Sequence, residues 1–452
     1  MRIHLIAIGG AAMHNLALAL HHKGYHVTGS DDEIYDPSRS RLAAVGLLPT
    51  EIGWHTDRIT KDIDAIIVGM HARKDNPELA KAKELGLNIV SYPEYLYEQS
   101  KDKTRIVIGG SHGKTSTTSM VLHVLQYYKI DTDYLVGAQL EGFERMVRLS
   151  DAPYIVIEGD EYLASPLKPF PKFHFYKPHI AVITGIAWDH INVFPTFDNY
   201  VEQFEIFVKS IEEGGYLAYY RGDKILKKAV KSNGQHLDIN GYDTLKCRIK
   251  DGQTIVNYRT HEVTLQIFGE HNLQNLNAAR MVCNQIGIKN KAFFKAIQTF
   301  TGAAKRLQKI ATSDTSVAFL DFAHAPSKVN ATVNAIKNQY KDKEVIACFE
   351  LHTFSSLNQD FLSHYHQTMN AADKAFVYFS EHTLKMKKLP PITKTQVAAA
   401  FNHPNMTVFT DSQVLQSTLK EINWDNKVLL MMSSGTFHGI QIKEFARGLI
   451  EN

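Results

Sequence analysis

Short apolar runs alternate with helical patterns along almost the whole chain, and this alternation limits the folds open to it. Examples are "RIHLIAIGG" near the start, "TRIVIGG" and "PYIVIEGDE" in the middle, and "EVIACFEL" and "KVLLMM" nearer the end. Runs of this length separated by helices are typical of parallel sheets with helices packed against them. The 452 residues exceed one ordinary core, and roughly three domains of about 150 residues are expected. The sequence therefore predicts an α/β protein of three domains.

The apolar runs fall into three blocks, which set the predicted domain boundaries. Residues 1–100 form the first block, which ends near the polar stretch 98–103. Residues 101–300 form the second block, in which a β-rich part at 243–268 precedes a helical stretch. Residues 301–452 form the third block, which again alternates apolar runs with helical patterns. The sequence contains neither a fixed-period repeat nor a low-complexity linker between these blocks.

Composition and charge exclude several classes of protein. Hydrophobic residues make up 44% and charged residues 21% of the chain, as expected of a folded globular protein. The net charge is +3 and no long basic run occurs, so a nucleic-acid partner is not expected. The three cysteines are far apart and form no CxxC pair, which fits free thiols in a reducing compartment.

The N-terminal segment does not have the pattern of a secretory leader. His4 interrupts its apolar run, Gly9 and Gly10 end that run, and His14 and Asn15 break the region that follows. No apolar stretch approaches the roughly 20 residues that span a membrane. We therefore expect a cytoplasmic protein without membrane insertion, and the sequence leaves its oligomeric state open.

The segment "GGSHGKTS" at residues 109–116 resembles a phosphate-binding loop with unusual spacing. Gly-Lys-Thr follows an apolar strand and opens a plausible helix, but Ile108 occupies the place of the first glycine in the usual pattern. Glycines let backbone N–H groups approach a phosphate, and a helix N-terminus adds positive charge. Taken alone, the loop leaves a nucleotide site and coincidence equally open. The candidate nucleotide-binding residues are Gly110, Ser111, His112, Gly113, Lys114, Thr115 and Ser116.

Acidic and histidine side chains follow two neighbouring apolar runs. Glu158 ends "PYIVIE" and is followed by Asp160 and Glu161, while Asp189 and His190 follow "HIAVITG". Ligands of parallel sheets collect at the carboxyl ends of strands, and Mg²⁺ prefers oxygen ligands. This placement indicates Thr115 and Glu158 as Mg²⁺ contacts, and it puts His190 beside them without giving it a role. The alternatives are a solvated acidic turn and a packed or capping histidine.

The first block carries a weaker nucleotide signal. In "AIGGAAM" alanines stand at the first and last glycine positions of a dinucleotide-binding turn, and only Gly9 and Gly10 remain. Asp31 follows at the end of "YHVTGSD", where an acidic side chain suits a ribose or sugar contact. A packing turn and a surface acid explain the same residues equally well. The pattern indicates a nucleotide-type fold and leaves the ligand open.

Six segments, taken together and in order, resemble the motifs of the Mur ligase family. The family's loop G-[TS]-x-G-K-[TS] matches residues 110–115, which explains the short spacing. The other motifs are E-x-D-E at 158–161, D-H at 189–190, G-x-H-N-x-x-N-x-x-A-A at 269–279, an arginine at Arg306 and D-[YF]-[AG]-H-x-P at 321–326.

The resemblance implies an ATP-dependent, Mg²⁺-requiring ligase of peptidoglycan metabolism. Its first domain would be Rossmann-like and bind the UDP-sugar, its central P-loop ATPase-like domain would bind ATP, and its Rossmann-like third domain would bind the amino substrate. Such enzymes serve cell wall biogenesis and thereby cell shape and division. Lys114 and Thr115 would hold the ATP phosphates and Mg²⁺, and Glu158 and His190 would be further metal ligands. His324 is a candidate base. Further implied roles are adenine binding by His271, Asn272 and Asn275, closure of the site by Arg306 and Asp321, and UDP binding by Gly9, Gly10 and Asp31.

Within the family, the segments that look closest to the murein-peptide ligase branch are "RIHLIAIGGAAM", "VTGSD", "EGDEY", "DFAHAP" and "MSSGTFHGI". The resemblance implies that L-alanyl-γ-D-glutamyl-meso-diaminopimelate is joined to the lactyl carboxylate of UDP-N-acetylmuramate through an acyl phosphate, in peptidoglycan recycling. The alternative is the biosynthetic enzyme that adds L-alanine to the same carboxylate.

Two departures from the family pattern bear on these expectations. The carbamylated lysine of several relatives has no counterpart in residues 201–205, and "FELHTFSSLN" lacks an arginine that relatives often have. Two other classes of protein use the same kind of loop. A small-molecule kinase or nucleotide hydrolase would consume ATP without an amine, and a nucleotide-binding regulator would catalyse no reaction.

Overall fold

The computed structural model describes residues 1–137, 143, 145–188, 193–250, 252–259 and 261–451. Its strands form four sheets, and its helices lie around these sheets. The alternation of apolar runs and helices in the sequence thus becomes a mixed α/β structure with mainly parallel sheets, which confirms the predicted fold class.

The first sheet has four parallel strands in the order β2-β1-β3-β4. Its strands are β1 (Arg2–Ile6), β2 (His26–Ser30), β3 (Ala65–Val68) and β4 (Ile89–Ser91). Its helices are α1 (Ala11–His22), α2 (Ser38–Ala44), α3 (Pro77–Glu84) and α4 (Tyr92–Glu98). Because parallel strands share one carboxyl edge, the loops after β1 and β2 come together there.

The second sheet has seven strands in the order β11-β10-β9-β5-β8-β6-β7, parallel except for β7. Its strands are β5 (Thr104–Gly109), β6 (Thr132–Leu135), β7 (Val147–Arg148), β8 (Tyr154–Glu158), β9 (Ile180–Ile183), β10 (Tyr216–Tyr220) and β11 (Asp238–Tyr242). Its helices are α5 (Lys114–Tyr127), α6 (Phe197–Ser210) and α7 (Lys224–Asn233). Strand β5 lies between β8 and β9, so the loops after these three strands are neighbours.

The β-rich part that the sequence predicts at 243–268 is a small antiparallel sheet. Its three strands are β12 (Cys247–Lys250), β13 (Gln253–Tyr258) and β14 (His261–Leu265). Two helices follow it along the chain, α8 (Glu270–Gln285) and α9 (Asn290–Ile297).

The fourth sheet has six strands in the order β15-β16-β20-β17-β18-β19, and only β15 is antiparallel to its neighbour. Its strands are β15 (Gln308–Thr312), β16 (Val317–Asp321), β17 (Glu344–Leu351), β18 (Lys374–Phe379), β19 (Met406–Phe409) and β20 (Lys427–Met432). Its helices are α10 (Pro326–Gln339), α11 (Glu381–Met386), α12 (Lys394–Phe401), α13 (Ser412–Lys420) and α14 (Ile442–Ile450). Buried apolar clusters cover both faces of this sheet.

The chain divides into two compact units. The first unit comprises Met1–Ile186, Phe197–Asp243 and Ala278–Lys289, and it holds the four-stranded and seven-stranded sheets. The second comprises Ala187–Thr196, Thr244–Asn277 and Asn290–Asn452, and it holds the other two sheets. The predicted boundaries of three domains at 1–100, 101–300 and 301–452 stay a prediction. Over the described parts of the chain, every helix is too short or too polar to cross a bilayer.

Candidate functional site

The phosphate-type loop connects β5 to α5 in the first unit and passes close to the end of β9. Gly110 has a φ of +126°, and a Cβ atom there would lie 2.1 Å from Thr184 Oγ1 and 2.8 Å from Thr184 N. Ser111 N donates to Gly185 O at 3.0 Å, and Thr184 Oγ1 donates to Gly109 O at 3.2 Å. The loop therefore needs glycine at its first position and is held by the neighbouring strand end.

Lys114 begins α5 with its ammonium group turned back onto the loop. Its Nζ donates to Gly110 O at 2.7 Å and to Glu161 Oε2 at 2.6 Å. Burial by itself lowers the pKa of Lys114, but the carboxylates of Glu161 and Asp160 outweigh it and raise that pKa above its ordinary value. Lys114 therefore stays a cation at the loop, as the binding of phosphates requires.

Thr115 and Glu158 are brought together as the sequence predicts. Thr115 Oγ1 donates to Glu158 Oε1 at 2.7 Å, and Glu158 Oε2 accepts from Gly137 N at 2.8 Å. These hydroxyl and carboxylate oxygens are the hard donors that Mg²⁺ takes. His190, the third predicted metal ligand, and Asp189 lie outside the described residues.

Within the described part of the chain, no group of three or more His, Cys, Asp or Glu side chains is placed to hold a metal ion. Mg²⁺ coordinated by nucleotide phosphates needs only one or two protein ligands, so the pair of Thr115 and Glu158 fits that use. Their assignment as metal ligands stays a prediction.

Tyr200 supports the loop, and the sequence analysis missed it. Its buried hydroxyl, on α6, lies 2.9 Å from Ser111 Oγ and 3.4 Å from Glu161 Oε1. It falls just before residues 201–205, where the carbamylated lysine of relatives has no counterpart. Phe204 in that segment is fully buried and packs edge-on against Tyr200 and Phe173. This part of α6 thus supplies an aromatic core and one hydroxyl.

The predicted substrate residues of the first sheet also come together. Asp31 Oδ2 accepts from Gly9 N at 2.7 Å, and a Cβ atom on Gly9 would lie 2.9 Å from that oxygen. Burial raises the pKa of Asp31 to about 6, because it outweighs the hydrogen bond from Gly9 N that lowers the pKa. The loop after β1 and the end of β2 therefore form one small polar site.

A cavity of 440 Å³ adjoins both of these sites within the first unit. Gly10 lines it on the side of the first sheet, and Glu158 lines it on the side of the second sheet. The other polar or charged lining side chains are Asn15, His71, Tyr92, Asp160, Tyr162, Lys172 and Tyr176. The cavity therefore reaches from Gly10, one of the predicted nucleotide-sugar residues, to Glu158, which accepts a hydrogen bond from Thr115.

Asp160 and Lys172 form an ion pair in the wall of this cavity. Lys172 Nζ lies 2.6 Å from Asp160 Oδ2, and Asp160 Oδ1 accepts from Tyr162 N at 3.1 Å. Burial raises the pKa of Asp160, but Lys172 and Lys114 outweigh it and lower that pKa to about 2. The sequence analysis did not single out Lys172, because a lysine among prolines and aromatics matches no motif.

In the second unit, the predicted adenine-binding residues occupy the first turns of α8. Burial lowers the pKa of His271 to about 4, so its ring is neutral. Asn272 Nδ2 donates to Phe268 O at 2.9 Å, and Asn275 is buried. Gly269 has a φ of +89°, and a Cβ there would lie 2.7 Å from Ala335 Cβ. The assignment to adenine stays a prediction.

Arg306, Asp321 and His324 lie together at one end of β16. Asp321 accepts from Leu307 N and Ala323 N at 2.6 Å each. Burial raises the pKa of Asp321, and Arg306 acts in the opposite direction. The Arg306 guanidinium lies 5.0 Å from the centre of the Phe322 ring, and His324 Nδ1 lies 2.9 Å from Phe322 O. Asp321 therefore fixes the backbone that presents the arginine and the histidine.

Comparison with known proteins agrees with this arrangement. The model of the Mur ligase family catalytic domain matches residues 2–104, and that of the Mur ligase middle domain matches residues 108–283. The UDP-N-acetylmuramate–L-alanine ligase of Streptococcus mutans is 32% identical over 395 residues, which cover 83% of this chain and 81% of that protein.

Solved structures share the fold over the whole length. The UDP-N-acetylmuramate–alanine ligase of Thermotoga maritima has a TM-score of 0.73 at 20% identity, with 100% of this chain and 98% of that chain covered. A murein peptide ligase of Psychrobacter arcticus has a TM-score of 0.65 at 23% identity, with 99% and 98% covered. At these identities both structures show that the fold is shared, and they carry no information about the substrates of this chain.

Curated relatives at 28–32% identity carry the name UDP-N-acetylmuramate–L-alanine ligase. The expected joining of a tripeptide in peptidoglycan recycling is therefore wrong. The relatives support the alternative, addition of L-alanine. The segments that suggested the other branch lie at the ends of β1, β2, β8, β16 and β20, in both units of the chain. Their resemblance to that branch did not identify the amine.

Proposed function

This chain belongs to the Mur ligase family, and on that premise we propose that it joins L-alanine to the lactyl carboxylate of UDP-N-acetylmuramate. It is an ATP-dependent ligase of the acid–amino-acid type, as its relatives are. The class of ligase follows from the relatives, whereas L-alanine and UDP-N-acetylmuramate as substrates of this chain are the proposal. Addition of L-alanine would place the reaction in peptidoglycan biosynthesis.

One observation carries the proposal. The cavity that touches Gly10 also touches Glu158, whose carboxylate bonds Thr115 next to Lys114. A nucleotide-sugar bound at Gly9, Gly10 and Asp31 would therefore direct its far end toward the phosphate loop. This is the juxtaposition that transfer of a phosphoryl group from ATP to a carboxylate needs, because in-line attack requires the reacting atoms to be held close together.

The first chemical step is activation of the carboxylate. A lactyl carboxylate oxygen attacks the γ-phosphorus, the bond to the bridging oxygen breaks, and ADP leaves behind an acyl phosphate. Lys114 and the loop N–H groups bind the phosphate oxygens on which charge is spread. Thr115 and Glu158 would hold Mg²⁺, whose charge would neutralise part of the charge on the phosphates. Tyr200 and Glu161 hold Ser111 and Lys114 in place.

The second step needs an unprotonated amine. The nitrogen of L-alanine attacks the carbonyl carbon of the acyl phosphate, phosphate departs, and the nitrogen loses a proton. We propose His324 as the base that takes this proton, since histidine is the side chain whose ordinary pKa suits proton transfer near neutral pH. The contact of its Nδ1 with Phe322 O at 2.9 Å orients the ring.

The test measures ADP release by the purified full-length protein with ATP, Mg²⁺ and UDP-N-acetylmuramate. L-alanine, glycine and the tripeptide are supplied one at a time. We expect rapid release only with L-alanine, and a loss of at least about 100-fold in the Lys114→Met variant, since removal of one such stabilising group costs roughly that factor. Release without any amine would indicate a kinase or hydrolase. Release with the tripeptide but not with L-alanine would overturn the proposed substrate.

A further inference from the structure

The lactyl carboxylate must cross a cavity whose walls carry negative charge. Glu158 and Asp160 both line this cavity, and each brings a carboxyl side chain to its wall. An anion that enters such a site is repelled unless a cation faces it, because the charges interact strongly away from bulk water. The cavity needs a positive group, and Lys114 already faces the phosphate loop.

Lys172 is the one lysine or arginine among the described residues that line this cavity. Its side chain is 17% exposed, and its Nζ lies 5.9 Å from the centre of the Tyr162 ring. The ion pair with Asp160 takes one of the three N–H donors of the ammonium, so the others can be directed to a ligand.

The backbone around Lys172 holds the ammonium in place. Lys172 N donates to Tyr162 O at 3.0 Å, and Phe173 N donates to Asp160 O at 3.2 Å. Phe173 is fully buried and stacks on Phe207 of α6. These bonds join the segment after β8 to the segment that carries Lys172, so Asp160 and Lys172 keep their relative position before a substrate arrives.

From this geometry we propose that Lys172 is a catalytic residue that binds the lactyl carboxylate of the nucleotide-sugar and stabilises its conversion to the acyl phosphate. The inference rests on the proposed function. The carboxylate oxygen forms the new bond to the γ-phosphorus, ADP leaves with the bridging oxygen, and Lys172 stays protonated throughout. Lys114 serves the phosphate side of the reaction and Lys172 the carboxylate side.

A binding comparison separates this role from a structural one. UDP-N-acetylglucosamine lacks the whole lactyl group of UDP-N-acetylmuramate, including its carboxylate, but shares the rest of the molecule. In Lys172→Met we expect the Kd of UDP-N-acetylmuramate to rise about 10- to 100-fold, the usual worth of a charge-assisted hydrogen bond. The Kd of UDP-N-acetylglucosamine should stay within about twofold. Lys172→Arg, which keeps the charge, should recover part of the lost affinity.

Kinetics and a matched control complete the test. We expect kcat/KM for UDP-N-acetylmuramate to fall at least about 100-fold in Lys172→Met while KM for ATP changes less than about threefold. Lys168→Met is the control, because Lys168 lies in the same segment, pairs with Glu94 and does not line the cavity.

Equal weakening of both ligands, or of neither, would overturn the role of Lys172 and leave the proposed ligase intact. A wild-type protein that neither binds UDP-N-acetylmuramate nor turns it over would overturn the proposed function itself, and the role of Lys172 with it.

Discussion

The hydroxyl of Tyr200 links the phosphate loop to the acidic segment behind it, and removing that hydroxyl tests the link. Tyr200→Phe keeps the ring packed on Phe204 but loses the bonds to Ser111 and Glu161. One neutral hydrogen bond is worth about 1 kcal/mol, so we expect KM for ATP to rise about fivefold. The free energy of unfolding should fall by no more than about 1.5 kcal/mol. Steady-state kinetics and urea unfolding measure the two effects.

Tyr95→Phe is the control for this substitution. In the described part of the chain the hydroxyl of Tyr95 is buried without a hydrogen-bond partner, so its loss should change neither KM nor stability appreciably. If Tyr95→Phe and Tyr200→Phe raise KM for ATP alike, the hydroxyl of Tyr200 does not support the loop.

Asp31 is expected to make the free energy of unfolding fall as pH rises. Burial raises the pKa of Asp31 to about 6, above the ordinary value of about 4. Between these values the folded state binds more protons than the unfolded state, so this carboxyl lowers stability as pH rises. Relative to Asp31→Asn, the wild type should lose up to about 3 kcal/mol of unfolding free energy between about pH 4 and pH 7.

Denaturant unfolding of both proteins across this pH range measures the effect. Two curves that run parallel from acid to neutral pH would show that the pKa of Asp31 is not raised in the folded state. Any denaturing effect of acid on other carboxyls is common to both proteins and cancels in the difference between them.

Motif residues at strand ends could be predicted from the sequence, but their supporting residues could not. Lys114, Thr115 and Glu158 stand in recognisable patterns, and in the structure Thr115 donates to Glu158 and Lys114 donates to Glu161. Tyr200 and Lys172 reach the same region from α6 and from a segment between β8 and β9. Their contribution depends on tertiary packing, which no local pattern encodes.

At the scale of elements, the loop between β5 and α5 depends on close contact with β9. In Gly110→Ala the new methyl group would meet Thr184 Oγ1 at 2.1 Å, in a region of φ that side chains rarely adopt. We expect a loss of about 2–4 kcal/mol in unfolding free energy, from strain and overpacking together. Binding of ATP should weaken as well, because the loop must move.

Gly214→Ala is the matched control for Gly110→Ala. Gly214 also has a positive φ, of +70°, but a Cβ there would meet nothing within 4 Å. The control therefore carries the backbone penalty of about 1 kcal/mol without the clash. Urea unfolding should separate the two variants by more than about 1 kcal/mol. Equal destabilisation of Gly110→Ala and Gly214→Ala would mean that the loop moves away from the added methyl group without a loss of stability.

Elements with long apolar runs could be predicted from the sequence, whereas short or mixed ones could not. Strands such as β5, β8, β17 and β20 are buried on both faces and appear in the sequence as continuous apolar runs. Strand β6 has only four residues and includes the buried Asp133, and β19 has four residues at a sheet edge. Pairing with neighbouring strands determines whether such short segments form strands, so their local sequence predicts them poorly.

At the scale of the molecule, the order of strands determines which motifs meet. The sequence predicts parallel sheets, but it does not show that β5 lies between β8 and β9 or that one cavity touches both sheets of the first unit. These are consequences of long-range pairing. The choice of amine is equally remote from local pattern. Relatives named for L-alanine contradict the expected tripeptide, and L-alanine is the proposed amine.

Binding of the nucleotide-sugar should stabilise the first unit by mass action. UDP-N-acetylmuramate at about 100 times its Kd should add about 2.7 kcal/mol to the unfolding free energy, since it binds the folded state alone. Hydrogen exchange should slow in the loops around the cavity, at residues 7–15, 69–71 and 158–176. UDP-N-acetylglucosamine at the same multiple of its own Kd should add the same amount, because the gain depends only on the ratio of concentration to Kd. Protection confined to the second unit, for example to β17 and β18, would place the nucleotide-sugar site elsewhere in the chain.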